Sequence, residues 1–181
     1  KTAAEIVTIS HEHQDHNSLE QIEGHPLVIR APGEYEIADV SIMGLSTFHD
    51  KVAGAERGKN IIYSIRGEGI SLCHLGDLGH KLSEQQLEEV NGVDILFIPV
   101  GGTYTLGPKE AVEVVNQVEA KIVIPMHYQV SGLNSSFLGQ LATLKDFLEE
   151  IGSPEAKTQS KLIVSKTSLP EEREVVPMLK K

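Results

Sequence analysis

A single cysteine stands among the 181 residues of this chain, so no internal disulfide can form, as expected of a protein kept in a reducing compartment. Cys73 lies inside the apolar stretch Ile70-Ser71-Leu72-Cys73-His74, where a thiol packs rather than reacts. No apolar run reaches the length of a membrane-spanning helix, and Lys1-Thr2-Ala3-Ala4-Glu5 does not read as a signal peptide. The expected location is therefore the cytoplasm, with no membrane partner. Positive charge is scarce as well: 16 Lys and Arg against 26 Asp and Glu leave a formal net charge of -10. A protein that displaces counterions from a phosphate backbone needs basic surface, and no basic run is present, so nucleic acid is not an expected partner. Internal repeats, low-complexity segments and long linkers are also missing. With 40% hydrophobic residues the chain can bury one substantial core, and residues 1–181 read as a single domain.

Histidine is where the chain is rich. Three imidazoles and the carboxylate of Asp15, with that of Glu12 between the first two, fall within His11-Glu12-His13-Gln14-Asp15-His16, directly after the apolar run Ile6-Val7-Thr8-Ile9. Zinc and its neighbours take imidazole nitrogen and carboxylate oxygen at about 2.0–2.2 Å, so four such groups on one tight loop can serve more than one ion. In an extended start to the loop, His11 and His13 share a face, while a turn at Gln14 swings Asp15 and His16 towards a neighbouring position. The spacing suggests two adjacent metals. The plain alternative is a histidine-rich surface turn or a tag-like tract. A tag, however, is not led in by a β-branched strand or interrupted by a carboxylate at a fixed place.

Further candidates sit at the ends of apolar stretches. His49 follows the alternating residues 40–48, a position open equally to a metal ligand and to a hydrogen-bonded rim residue. Asp77, after Gly76, is either a ligand or a turn cap. His127 ends Val123-Ile124-Pro125-Met126, and an apolar strand that ends in histidine delivers a polar group to a cleft. His74 is a rival to His49, His80 a candidate substrate contact or proton shuttle, and His25 a plain loop residue.

Alternation and β-branched content predict strands over 5–10, 26–31, 34–37, 40–48, 60–67 and 69–75, with a helical segment from Asn17 to Ile22. Ser83 with Gln86 forms a capping-box pattern for a helix to Val90, followed by a buried strand, Val93 to Val100. Pro108 opens a helix whose inward stripe is Ala111, Val112, Val115 and Val118, and the strand Lys121 to Met126 comes next. Phe137, Leu141, Leu144, Leu148 and Ile151 mark a further helix, and strands are predicted at 162–165 and 174–176.

The pattern H-x-H-x-D-H at His11 to His16 resembles the signature of the metallo-β-lactamase superfamily. Thr47-Phe48-His49-Asp50 with Gly54, Arg57-Gly58 and Asn60, then Leu75-Gly76-Asp77-Leu78-Gly79, then Ile124-Pro125-Met126-His127-Tyr128, resemble its later segments in the same order. The resemblance implies an α/β (α+β) fold, the four-layer αββα sandwich, here without the usual N-terminal hairpin, since only ten residues precede His11. It assigns His11, His13 and His49 to one divalent metal, Asp15, His16 and His127 to a second, and Asp77 to both. Zinc is the expected metal, with manganese and iron as the others that the ligand set suits. The implied activity is a metal-dependent hydrolase in which a metal-bridging hydroxide attacks an ester, lactone or related bond of a small-molecule substrate. Asp77 and Asp15 are the catalytic carboxylates, Asp15 as a proton carrier to the leaving group. His49-Asp50, His74 to Asp77, Gly101-Gly102-Thr103 and Pro125-Met126-His127 look most like the ascorbate-6-phosphate lactonase-like branch. The alternatives are a phosphodiesterase or nuclease of the same fold and a metal-binding interaction module without turnover. An open sheet edge left by the absent hairpin would be completed by a homo-oligomer.

Overall fold

Short β-branched runs at the start of the chain become β1 (Thr2–Ala3), β2 (Ile6–Thr8), β3 (Ile22–Glu23) and β4 (Leu27–Ile29) in the computed structural model, which describes residues 1–130 and 140–179. The alternating stretches become β5 (Gly33–Ile37), β6 (Val40–Phe48), β7 (Lys59–Gly67) and β8 (Ile70–His74). Helices and strands then alternate as α1 (Glu84–Val90), β9 (Ile95–Pro99), α2 (Pro108–Val118), β10 (Ile122–Met126), α3 (Leu144–Glu150) and β11 (Glu174–Val175). Seven strands form one sheet in the order β11-β10-β9-β8-β7-β6-β5, antiparallel from β5 to β8 and parallel from β8 to β11. Two parallel pairs, β1 with β3 and β2 with β4, stand apart from it.

Period-two alternation sorts the core onto the two faces of the large sheet. Ile62, Cys73, Leu96, Ile98 and Val123 point to the side covered by the helices, where Val90, Val114, Val115, Phe147 and Leu148 complete the main core. Burial pushes the Cys73 thiol up, well above its ordinary range, in keeping with a packing role. Ile61, Tyr63 and Ile65 point the other way and meet Ile6 of β2 and Ile29 of β4. On that same face, Ile65 stands opposite Leu72, and the cluster of Ile95, Ile122 and Ile124 is closed by Leu162, Val164, Leu169 and Met178 of the C-terminal segment.

Helix ends follow local chemistry. The Ser83–Gln86 capping box forms in both directions, with Gln86 N–H donating to Ser83 Oγ at 3.3 Å and Ser83 N–H to Gln86 Oε1 at 3.0 Å. Pro108 opens α2 as expected, and Thr143 with Asp146 builds a second reciprocal cap at α3.

Three expectations are corrected. Asn17 to Ile22 forms no helix: six residues nucleate poorly, the Asn17 amide is spent on Glu12, and Ile22–Glu23 pairs with Thr2–Ala3 instead. The last helix begins only at Leu144, because Thr143 caps it; Leu141 is buried ahead of it, and Phe137 lies outside the described residues. Residues 162–165 are not a strand, since Leu162 and Val164 meet the core through their side chains alone and a 3-10 turn, Lys166–Ser168, follows.

The Tyr63 hydroxyl ties the β2–β4 pair to the large sheet, its one proton shared between Ile9 O at 3.0 Å and Ile29 O at 3.1 Å. Burial pushes this phenol up to about 12. Tyr63→Phe is expected to lower stability by about 1–2 kcal/mol, read from the urea midpoint at unchanged slope. An unaltered midpoint would show that the hydroxyl contributes nothing to this junction.

Candidate metal centre

Strand direction gathers the candidate residues. Both β6 and β8 run antiparallel to β7, so they point the same way, and β9 and β10 run parallel to β8. The C-terminal ends of β6, β8 and β10 therefore open on one edge, where His49 follows Phe48, Asp77 follows the Leu75-Gly76 turn and His127 follows Met126. The loop after β2 reaches the same edge, held by the Ile61 N–H on Ser10 O at 2.8 Å. Within it the His16 N–H donates to His13 O at 2.9 Å, closing the turn expected at Gln14.

One carboxylate oxygen lies at the centre. Asp77 Oδ2 is 3.2 Å from His49 Nε2, 3.3 Å from His127 Nε2, 3.5 Å from His16 Nε2 and 3.8 Å from His11 Nε2. Donor atoms of His11, His13 and His49 lie within 4.8 Å of one another, and so do those of His11, His16 and Asp77. Asp15, exposed at the rim, reaches His16 at 3.4 Å. All seven sequence candidates thus come to one place. Burial opposes ionisation of Asp77, yet the His49 hydrogen bond and the His127, His16 and His11 rings hold its carboxyl at about 2. Burial lowers His11 to about 4, and its Nε2 is buried with no hydrogen-bond partner. A buried imidazole nitrogen that is neutral and unpartnered has its lone pair available for a cation. For His49, burial is outweighed by the hydrogen bond and charge of Asp77, and its pKa is raised. His49 Nδ1 donates to Tyr104 O at 3.1 Å, which fixes the ring so that Nε2 faces the cluster.

Backbone approach explains the glycines around Asp77 and His127. Gly76 has a left-handed φ of 57°, and a Cβ there would overlap Asn60 Oδ1 and the Ser10 side chain. At Gly101 a Cβ would overlap the carbonyl of His127, itself held at φ 52°. Asn60, fully buried, pins the turn from behind: Oδ1 accepts from Asp77 N–H, while Nδ2 donates to Leu75 O and to Thr47 Oγ1, each at 2.9 Å.

The remaining histidines have backbone duties. His74 Nδ1 accepts from Gly76 N–H at 3.1 Å, its ring stacks on Phe97, and burial lowers its pKa. His80 Nε2 accepts from Phe48 N–H at 3.2 Å and Nδ1 donates to Lys81 O at 2.7 Å, so both nitrogens are committed and neither is free to shuttle protons. His25 is an exposed loop residue. His49→Ala is therefore expected to remove one metal ion per chain, whereas His74→Ala keeps the metal content of the parent; elemental analysis of the two variants gives the answer, and the reverse pattern would exchange their roles.

Two residues acquire a place that sequence reasoning left undefined. Asn60 is the support of the Asp77 turn. Arg57 lies with its guanidinium carbon 4.7 Å from the centroid of the Tyr104 ring and lines the cavity of about 340 Å³ that also contains His13, Asp15, His49, Asp77 and His127. Its backbone is set by Asp50, whose buried carboxylate accepts from the N–H groups of Val52, Gly54, Glu56 and Arg57. Burial raises the Asp50 pKa less than those four donors lower it, to about 2. An acidic residue followed by small and glycine residues is the signal for such a loop, but not for its target.

The fold and this cluster define a class. The chain belongs to the beta-lactamase superfamily domain family, whose model matches residues 1–127. A metallo-beta-lactamase superfamily protein of Thermotoga maritima of solved structure is 42% identical, with a TM-score of 0.81 over 97% of this chain and 82% of that one, and the fold here is the metallo-β-lactamase fold. A UPF0173 metal-dependent hydrolase of Bacillus cereus (strain Q1) is 32% identical over 118 residues, 61% of this chain and 51% of the relative. One from Staphylothermus marinus is 35% identical over 96 residues, 53% of this chain and 40% of the relative. The chain spans about half the length of the curated relatives it matches. Among the described residues no helix is long and apolar enough to cross a membrane.

Proposed function

We propose that the chain is a binuclear metal-dependent hydrolase domain, residues 1–181 acting together on an ester, lactone or related bond of a small molecule. The observation that carries this reading is the convergence of four imidazole nitrogens, from three separate segments of the chain, on the single buried oxygen Asp77 Oδ2. Hydrogen bonding alone does not account for it, because a carboxylate oxygen has two lone pairs and His11 Nε2 is left buried without a partner. The donor set, imidazoles with two carboxylates, suits zinc first and manganese or iron next. His11, His13 and His49 would hold one ion, Asp15, His16 and His127 the other, and Asp77 both. The names of the Bacillus cereus and Staphylothermus marinus relatives, metal-dependent hydrolases, support the same reading.

Bound metals supply Lewis-acid polarisation of the scissile bond and a water acidified towards neutrality. The chain supplies the rest. Asp77 would contribute negative charge that offsets part of the charge of the bound metal. Tyr104 O, through His49 Nδ1–H, holds one ligand ring in a single orientation. Asp15, exposed at the mouth of the cavity, is the carboxylate placed to carry a proton to the leaving group.

The test is hydrolysis by zinc-loaded protein of a panel of aryl esters, lactones and bis-p-nitrophenyl phosphate, before and after chelation. Turnover of esters or lactones that disappears with chelator and returns with metal is the expected result, accompanied by a lower melting temperature in the chelated chain. Two metals bound with no turnover across the panel would overturn the hydrolase reading. Turnover confined to the phosphodiester would reassign the substrate class.

A further inference from the structure

Arg57 lines two cavities, the one of about 340 Å³ over Asp77 and a second of about 420 Å³ that reaches Arg30 and Lys59. With space beside it, packing does not fix its side chain; its contacts do, and they lead to one loop. The guanidinium carbon stands 4.7 Å from the centroid of the Tyr104 ring, and Nη2 donates to Thr103 O at 3.4 Å. The second distance is long for a hydrogen bond, so the ring contact is the stronger hold.

The loop is strained where Arg57 touches it. Thr103 holds φ at 54°, directly after Gly102 at 66°. For a β-branched residue a left-handed backbone is disfavoured, and it persists only where neighbours over-determine it. Here Thr103 Oγ1 donates to Gln140 O at 2.8 Å, Gly102 N–H donates to Leu106 O at 2.9 Å, and Arg57 closes over Thr103 O and the Tyr104 ring. The residue that follows is Tyr104, whose carbonyl accepts from His49 Nδ1 at 3.1 Å. Relaxation of Thr103 to negative φ would swing that carbonyl away, and His49 would lose the acceptor that keeps its Nε2 facing the cluster.

Arg57 serves as a fixed point because its own loop is fixed. The buried Asp50 accepts from the Arg57 backbone N–H at 2.7 Å, as it does from Val52, Gly54 and Glu56. Near the start of the same loop Lys51 pairs with Glu110, whose Oε2 accepts from Gly107 N–H at 3.2 Å. Residues 50–58 thus grip residues 102–107 at two points, through Lys51 and through Arg57.

We infer that Arg57 is a positioning residue for His49: it latches the strained Gly102-Thr103-Tyr104 turn in the shape that presents Tyr104 O to His49 Nδ1. It acts through the loop and not on the donor atoms of the cluster. Its effect on metal rests on the reading of His49 as a ligand, whereas the bond from His49 Nδ1 to Tyr104 O can be followed independently of any ion.

The experiment compares the parent with Arg57→Gln, Arg57→Lys, Tyr104→Leu and the Arg57→Gln, Tyr104→Leu double variant, each checked for folding by circular dichroism. Exchange of the His49 Nδ1–H proton with solvent is read by NMR of the isotopically labelled, metal-free chain, the signal being assigned by its loss in His49→Ala. Zinc affinity is read by titration against a chromophoric chelator. Arg57→Gln should speed the exchange several-fold and weaken zinc binding by roughly 10-fold, the lower end of what loss of a ligand's support costs. Arg57→Lys, which keeps a cation on the ring, should recover part of both. Once Tyr104→Leu has removed the ring contact, Arg57→Gln should add little, since changes acting through one contact are not additive. Parent-like exchange or parent-like zinc affinity in folded Arg57→Gln, or full additivity in the double variant, overturns the latch. Should Arg57→Gln not fold, Arg57→Lys and Tyr104→Leu decide: faster exchange in both supports the latch, and parent-like exchange in either overturns it. If the parent binds no zinc, the ligand reading of His49 fails separately, and the exchange rates alone decide the role of Arg57.

Discussion

Asp77→Asn should lose metal affinity by at least ~100-fold, since removing mere supporting partners of metal ligands already costs 10–100-fold, and should lose hydrolytic rate with it. Two dications bring four positive charges, and the proposed ligand set holds only two carboxylates, Asp15 and Asp77. Of these, Asp15 is exposed and can share its role with solvent, whereas Asp77 is 4% exposed and is the acceptor on which four imidazoles converge. Asparagine keeps the shape and its backbone N–H still reaches Asn60 Oδ1, so the turn should persist. Calorimetric metal titration of both proteins, with circular dichroism as the control for folding, reads the effect. Full metal affinity in a folded Asp77→Asn would remove Asp77 from the ligand set.

Asn60→Ala should act on the same carboxylate from behind and cost stability as well. The substitution strips the acceptor from Asp77 N–H and the donor from Leu75 O, both in a buried turn, and leaves Thr47 Oγ1 without its amide partner. Each orphaned buried group costs about 1–3 kcal/mol, so a loss of about 3–6 kcal/mol is expected from urea unfolding of the metal-free chain. Because the Asp77 backbone then loses its tie to Asn60, the surviving folded protein should also bind metal more weakly than the parent. A stability change under 1 kcal/mol would mean that water or a rearranged backbone replaces Asn60 with little loss.

How far the chain could be read in advance follows from how local each signal is. The cluster from His11 to His16 spans six positions, and a turn closed by His16 N–H on His13 O is a local event, so the gathering of imidazoles was legible. Residues 40–48 and 60–67 carry their strand signal in β-branched content or alternation, and Ser83 with Gln86 announces a helix start by chemistry confined to four residues. Asn60 is different: its partners are Thr47, Leu75 and Asp77, brought to it only by strand pairing, and nothing near it in sequence marks it as a support. Arg57 likewise draws its position from a loop wound on Asp50 and its surroundings from two cavities whose walls come from distant segments. Residues 17–22 misled for the opposite reason, because helical periodicity over so short a span is outweighed by pairing of Ile22–Glu23 with Thr2–Ala3. His49 rather than His74 was legible only through the family resemblance; in the structure His49 Nε2 faces Asp77, while His74 Nδ1 is turned to the backbone of Gly76.

The most direct measurement of the central claim is the number of divalent ions held per chain. Protein stripped of metal, reconstituted with zinc under reducing conditions, freed of excess ion and subjected to elemental analysis should contain close to two ions per chain. One ion or fewer at saturation, with His11, His13, Asp15, His16, His49, Asp77 and His127 all in place, would contradict the binuclear centre.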